Sequence, residues 1–138
     1  MIKRVFVDSD VILDVALARQ PFVEASKIVL SLLENGRAVG FVSSNSIANI
    51  YYMLRKSGGD PKARSFLLTL LKYITVVSID HSCILRALKS EFTDFEDGIQ
   101  HFAALSDQCE CIVTRNIEDF GKSNLNVYLP IEFISNYE

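Results

Sequence analysis

The sequence predicts an α/β fold in which a parallel sheet of about five strands is covered by helices on both faces. Short apolar runs alternate along the chain with longer segments in which apolar residues recur at helical spacing, a pattern typical of strand–helix repeats. The strand-like runs are mostly apolar rather than alternating, which indicates strands buried on both faces. With 138 residues, 49% of them apolar, the chain is long enough to bury a core without disulfide bonds.

The first four elements are predicted from apolar runs and from helix-breaking residues. Residues 5–7 form a short apolar run that predicts a strand, and apolar residues at helical spacing predict a helix over residues 11–17. Pro21 suits the first turn of a second helix, which Asn35-Gly36 ends. The apolar run 39–42 predicts the second strand.

The next two elements are helices joined by a glycine-rich turn. Ser44 or Ser46 can cap a third helix that runs through Leu54, because a serine oxygen can accept a first-turn N–H. Two glycines then end this helix, and Asp60-Pro61 opens a fourth with its apolar residues facing inward as far as Leu71.

A strand and two further helices are predicted in the following segment. Residues 75–79 are predicted to form the third strand. Asp80 can cap a helix over residues 83–88, and Thr93 or Asp94 can start another.

The end of the chain completes the predicted sheet. Residues 111–113 predict the fourth strand, a short strand lies around Val127, and a helix covers residues 131–134. Since no repeat, low-complexity stretch or linker interrupts the pattern, we expect one domain spanning residues 1–138.

Composition excludes several classes of protein. The net charge of -3 means that a nucleic acid would have to be bound through a local basic patch or a bound cation. An odd count of three cysteines predicts reduced thiols in the cytoplasm, and Cys109 and Cys111 with His101 lack the second half of a zinc motif. Asp8 and Asp10 interrupt the first apolar stretch, so neither a signal peptide nor a membrane segment is expected.

Acidic and amide side chains collect where the predicted strands end. Asp8 and Asp10 follow the first strand, and Asn116 and Asp119 follow the fourth strand. The helix that precedes the fourth strand begins with three more acids: Asp94, Glu96 and Asp97. In open parallel sheets ligands bind beyond the carboxyl ends of the strands. Crowded carboxylates repel one another unless a cation neutralises them, and oxygen ligands favour Mg²⁺ or Mn²⁺. The sequence therefore predicts a divalent metal site, although acids such as Asp94 and Glu96 can also serve only as helix caps.

Four segments in this order resemble the PIN-domain ribonucleases, which include the VapC-type toxins of toxin–antitoxin pairs. The segments cover nearly the whole chain: Val7-Asp8-Ser9-Asp10-Val11-Ile12-Leu13-Asp14, Ser46-Ile47-Ala48-Asn49-Ile50-Tyr51-Tyr52, Asp94-Phe95-Glu96-Asp97-Gly98-Ile99-Gln100, and Ile112-Val113-Thr114-Arg115-Asn116 running into Asp119-Phe120. The resemblance implies a PIN-like three-layer sandwich and hydrolysis of RNA phosphodiester bonds with Mg²⁺ or Mn²⁺.

The resemblance also implies roles and partners. Asp8, Asp97 and Asp10 would be catalytic, and the metal ligands would be Asp8, Asp97, Asp94, Asn116 and Asp119. RNA would be the substrate, a small antitoxin protein a possible partner, and a homodimer the expected assembly.

Two positions depart from the family's acidic quartet. Asn49 and Asn116 stand where the family usually has Glu and Asp, and each exchange removes a negative charge and lowers metal affinity. Asp10 stands where the family more often has Asn, so one acid has moved across the expected cleft.

Two alternative functions remain open at this stage. The loop Phe6-Val7-Asp8-Ser9-Asp10-Val11 also resembles the nucleophile loop of haloacid-dehalogenase-type phosphatases, although the downstream lysine and late acidic loop are not convincing here. Loss of two acids also suits a PIN fold retained as an RNA- or protein-binding module.

Basic residues could provide substrate contacts. Arg55, Lys56 and Arg115 are the predicted substrate-binding residues, the first two within a basic helical pair over residues 55–72 that equally suits a solvated surface. Tyr51 and Tyr52 could stack on bases, but we expect Tyr52 in the core and Tyr51 partly packed.

Overall fold

A computed structural model describes residues 3–136 of the chain, and its strands form one parallel sheet. The strands are β1 (Lys3–Val7), β2 (Ala38–Ser43), β3 (Ile74–Val77), β4 (Cys111–Val113) and β5 (Asn126–Tyr128). Their order across the sheet is β3-β2-β1-β4-β5, and every neighbouring pair is parallel. The predicted α/β class and five-stranded sheet are confirmed.

Helices cover both faces of this sheet. They are α1 (Ser9–Ala16), α2 (Val23–Glu34), α3 (Ser44–Gly58), α4 (Asp60–Leu70), α5 (His81–Lys89), α6 (Phe95–Ser106) and α7 (Pro130–Ser135), with a 3₁₀ turn at Ile117–Phe120. One apolar core lies between the sheet and the helices α1, α2, α3, α4 and α7. A second core lies on the opposite face, between the sheet and α5, α6 and the 3₁₀ turn. The result is a three-layer sandwich. No helix within residues 3–136 is long and apolar enough to cross a membrane.

The strand order reverses between β1 and β4. The chain lays β2 and then β3 to one side of β1, and places β4 and β5 on the other side. Such a reversal leaves a crevice beyond the carboxyl ends of the two central strands. Asp8 follows β1 there, and its backbone N–H donates to the carbonyl oxygen of Val113 at 3.0 Å.

Side chains that follow strands also begin helices. Asp8, Asp80 and Asp94 cap α1, α5 and α6, and each accepts a hydrogen bond from a first-turn N–H. The cap of α3 is Ser43, not the predicted Ser44 or Ser46, so this helix starts directly at the end of β2.

Two helix boundaries differ from the sequence prediction. Pro21 lies in the turn before α2, which begins at Val23. The third helix continues past Leu54 to Gly58, and Gly59 ends it with φ of 92°, a left-handed conformation that glycine adopts without a steric penalty.

Burial was predicted wrongly at two positions on the α3 and α4 pair. Tyr52, expected in the core, is 62% exposed, because Ile50 and Leu54 hold the inward face of α3. Leu71 lies beyond the end of α4 and is 39% exposed.

Candidate functional site

Asp8 is the most enclosed carboxylate at the crevice. It is 7% exposed, and its Oδ1 accepts from the Ser9 backbone N–H at 2.7 Å. Its Oδ2 accepts from the Thr114 hydroxyl at 2.8 Å, which joins the ends of β1 and β4. Burial raises the pKa of Asp8 although both of these hydrogen bonds lower it. The ionised form is therefore strained in the absence of a cation.

Asp10 and Asn116 contact each other across the same crevice. The Asn116 side-chain amide donates to Asp10 Oδ2 at 3.0 Å, whereas Asp10 Oδ1 is buried and has no hydrogen-bond partner. Burial, followed by the nearby charge of Asp8, raises the pKa of Asp10 to about 7. A buried carboxylate oxygen without a partner is an acceptor available to a cation or a proton donor.

Asp97 approaches the crevice from the first turn of α6. Partial burial raises its pKa to about 7, and the charges of Asp94, Asp119 and Asp8 add to this effect. With Asp94, Glu118 and Asp119 it lines a cavity of about 570 Å³. The helix before β4 and the turn after it thus bring their acids to one place.

Asp94 and Asp119 occupy more exposed positions than Asp97. Asp94 accepts a hydrogen bond from the Asp97 backbone N–H at 3.1 Å and so caps α6. Asp119 lies on the 3₁₀ turn, and its charge raises the pKa of both Asp8 and Asp97. These two acids add negative potential around the deeper carboxylates.

Gln100 is a site residue that sequence reasoning missed. It is 7% exposed, and hydrogen bonding from its side chain lowers the pKa of Asp8. Its Oε1 is buried and has no hydrogen-bond partner. The available signal was its position three residues after Asp97, which places both side chains on one face of α6.

Arg115, predicted to bind substrate, is held by a buried acid. Its guanidinium donates to the two carboxylate oxygens of Asp14 at 2.6 and 3.2 Å, and Asp14 has no exposed surface. Arg19 lies 3.8 Å from the same carboxylate, and the Arg115 guanidinium lies 4.1 Å from the ring centre of Phe22. The position of Arg115 is therefore fixed independently of any substrate.

Arg55 and Lys56 lie away from the carboxylates. Both are exposed in the last turns of α3, which starts at the carboxyl end of β2 and runs back from it. Arg55 lies eleven residues after Ser44, roughly 17 Å along the helix. Asn49 lies in the second turn of the same helix, and its side chain is exposed.

His101 and the cysteines are components of the core. His101 is 2% exposed, its Nδ1 lies 2.9 Å from the Ser123 hydroxyl, and its ring packs against Phe92. Burial raises the pKa of Cys109 to about 12 and that of Cys111 to about 11, which opposes the thiolate form that zinc binds. All three cysteines are free thiols.

The donors at the crevice fit a hard cation that keeps part of its water shell. Within residues 3–136, no three His, Cys, Asp or Glu side chains are arranged as a complete metal centre. Mg²⁺ commonly takes only one or two protein carboxylates and completes its octahedron with water and phosphate oxygens. The strained Asp8 carboxylate and the unpartnered Asp10 Oδ1 satisfy that requirement.

A parallel sheet of this strand order with acids at its point of reversal defines a doubly wound α/β fold with its candidate site at the switch point. A family model described as PIN domain matches residues 4–118. The chain therefore belongs to the PIN domain family, and not to the phosphatase family that its first loop also resembles. The chain has no significant match among curated proteins.

Solved structures of toxins share this fold at low sequence identity. A toxin–antitoxin complex from Klebsiella pneumoniae is 19% identical with a TM-score of 0.69, covering 91% of this chain and 97% of that chain. VapBC2 from Rickettsia felis, bound to a promoter DNA fragment, is 16% identical with a TM-score of 0.67, covering 90% and 96%. VapC20 from Mycobacterium tuberculosis, a sarcin–ricin loop cleaving toxin, is 14% identical with a TM-score of 0.61, covering 78% and 86%.

Proposed function

We propose that the chain is a metal-dependent ribonuclease that hydrolyses RNA phosphodiester bonds. The observation that carries this proposal is the group of strained carboxylates at the point where the strand order reverses, above all Asp8 and Asp97. A nuclease needs to bring a polyanionic substrate to an acidic edge, and a cation between the two is the usual physical solution. The family match and the described toxin VapC20 support RNA as the substrate.

Asp8 and Asp97 would hold Mg²⁺ or Mn²⁺, with Asp10, Asp94, Asn116 and Asp119 as further oxygen donors. A bound divalent ion would neutralise charge on the phosphate and lower the pKa of a coordinated water. In the metal-free chain the pKa of Asp10 is raised to about 7, and a cation beside it would favour the ionised carboxylate that can act as a ligand. Thr114 and Gln100 would keep the Asp8 carboxylate oriented through their hydrogen bonds.

We also propose that a small antitoxin protein is the partner of this chain. The similar structures from Klebsiella pneumoniae and Rickettsia felis are complexes of that kind. The groove between α3 and α4, about 560 Å³ and lined by Tyr52, Leu67 and Leu68, offers the apolar surface that a helical segment needs.

Cleavage of single-stranded RNA by the purified chain in Mn²⁺ tests the ribonuclease function. Asp8→Asn and Asp97→Asn should each reduce kcat/KM by at least about 100-fold, with the fold retained by circular dichroism. Glu24→Gln, an exposed acid on α2, is the matched control. Cleavage that survives both substitutions contradicts the proposal. RNA binding without any cleavage by the wild-type chain would favour the binding-module function.

A further inference from the structure

A further cavity lies beyond the ends of β4 and β5. It measures about 370 Å³, and its wall includes Phe22, Ala25, Leu129 and Ile131, with Arg115 as its charged member. Arg115 follows β4 and Leu129 follows β5, so the cavity opens at the same carboxyl edge as the acids. Its volume lies within the range of small-molecule binding sites.

One wall of this cavity is formed by flat groups. Phe22 is 38% exposed, and the guanidinium of Arg115 lies 4.1 Å from its ring centre. The bidentate contact with the fully buried Asp14 fixes the plane of that guanidinium. Because the guanidinium covers one face of the Phe22 ring, an unpaired base would stack on the exposed remainder of this pair.

Two arginines lie beside this wall, in contrast to the acidic crevice. Arg19 and Arg115 both approach the carboxylate of Asp14, and the charge of Arg115 also acts on Asp10. These two cations balance the two anions. A phosphodiester group at this position would meet two guanidinium groups and less repulsion than at the cluster of acids.

We propose that this cavity is a nucleotide subsite, which takes an unpaired base of the RNA against Phe22 and Arg115. The adjoining phosphate lies near the guanidinium groups of Arg19 and Arg115. The inference rests on the proposed ribonuclease function. The cavity would give the RNA strand a favourable contact that the acidic edge of the sheet lacks. It restricts the substrate to single-stranded or looped RNA, because a paired base is not available to enter a cavity.

Substitution of Ile131 tests the subsite, and Leu88 supplies the control. Ile131 lines the cavity and is 61% exposed, whereas Leu88 is 63% exposed on α5, away from it. Ile131→Trp obstructs the cavity, and Ile131→Asp places a negative charge at its rim whichever way the side chain turns. Leu88→Trp and Leu88→Asp introduce the same groups elsewhere.

Binding is measured in EDTA with a short single-stranded RNA, by fluorescence anisotropy. Both Ile131 variants should bind about 5- to 150-fold more weakly than the wild type, the range expected for loss of one stacked base. Both Leu88 variants should bind as the wild type does. An RNA with one abasic position should lose affinity for the wild type by a similar factor, and should lose little more on Ile131→Trp.

The outcomes separate this subsite from the ribonuclease function itself. If the wild type cleaves RNA while the Ile131 and Leu88 variants share its KM and its affinity, the subsite is refuted and the ribonuclease stands. If the wild type cleaves no RNA but the Ile131 variants lose affinity in EDTA, the subsite stands without the nuclease. Ile131 variants that bind RNA normally but lose a co-expressed protein partner would overturn the subsite in favour of a protein contact.

Discussion

Removing the charge of Asp10 should stabilise the metal-free protein at alkaline pH. Its pKa is about 7 in the folded chain, against the ordinary value of 3.8. The folded state must therefore carry a strained charge above pH 7 that the unfolded state carries freely. Asp10→Asn removes this charge and keeps the shape, and its carbonyl oxygen can still accept the hydrogen bond from Asn116.

The magnitude follows from the size of the pKa shift. About three pKa units at about 1.4 kcal/mol each give an upper bound of about 4 kcal/mol. Because Asp10 is only partly buried, solvent screens part of this penalty, and we expect a gain of about 1–2 kcal/mol at about pH 8.5. Below the unfolded pKa the carboxyl is neutral in both states. The gain should therefore shrink as the pH falls from about 7 toward about 4.

Urea unfolding in EDTA at several pH values measures this gain. The midpoint of Asp10→Asn should exceed that of the wild type by about 0.5–1 M at about pH 8.5, and by much less near pH 4. The histidines also make stability depend on pH, and comparison with the wild type at each pH cancels their contribution. Glu24→Gln controls for the loss of an acid elsewhere in the chain. A variant that is no more stable than the wild type at alkaline pH, or equally stabilised at every pH, would refute the charge-strain argument.

Four further results are expected. Mn²⁺ at 100 times its Kd should raise the stability of the wild type by about 2.7 kcal/mol, and an unchanged melting temperature at saturating metal would argue against the site. Asn116→Asp should tighten Mn²⁺ binding in calorimetry, and an unchanged Kd would remove that position from the ligands. Asn49→Glu combined with Asn116→Asp should increase both Mn²⁺ affinity and RNA cleavage; if neither changes, these positions do not face the metal. Arg115→Met should cost about 3 kcal/mol, at the lower end for a broken buried pair because Arg19 remains near Asp14; a loss below about 1 kcal/mol in urea unfolding would contradict this.

The strands and most helix caps could be predicted because their causes are local. A strand buried on both faces must be apolar at successive positions, as β4 and residues 5–7 of β1 are. Asp80 and Asp94 cap helices through contacts three residues along the chain. Patterns of this length are present in the sequence itself.

The sequence predictions were wrong where the local sequence is compatible with two different structures. Pro21 suits either a helical first turn or the turn before it, and nothing within a few residues decides between them. Tyr52 carries an apolar ring, but whether its face of α3 is covered depends on elements distant in the chain. Tertiary packing decides both cases.

The acids of the site were predictable and their neutral partners were not. Carboxylates that follow strands stand out, because burying a charge requires a compensating partner. An amide or a hydroxyl costs less to bury than a charge, so Thr114 and Gln100 do not stand out in the sequence. The pairing of Arg115 with Asp14 joins residues 101 apart in sequence, so its pattern cannot be detected within a local window.

The Asp10 and Asn116 pair shows what an amide, in place of a carboxylate, does physically at this position. Two carboxylates at the 3.0 Å separation of this contact would need a shared proton or a cation between them, whereas an amide opposite a carboxylate forms a hydrogen bond without either. The exchange therefore stabilises the metal-free crevice and reduces the attraction for metal by the same loss of charge. If so, Asn116→Asp should tighten Mn²⁺ binding and, in EDTA, destabilise the fold, two opposite effects with one electrostatic cause.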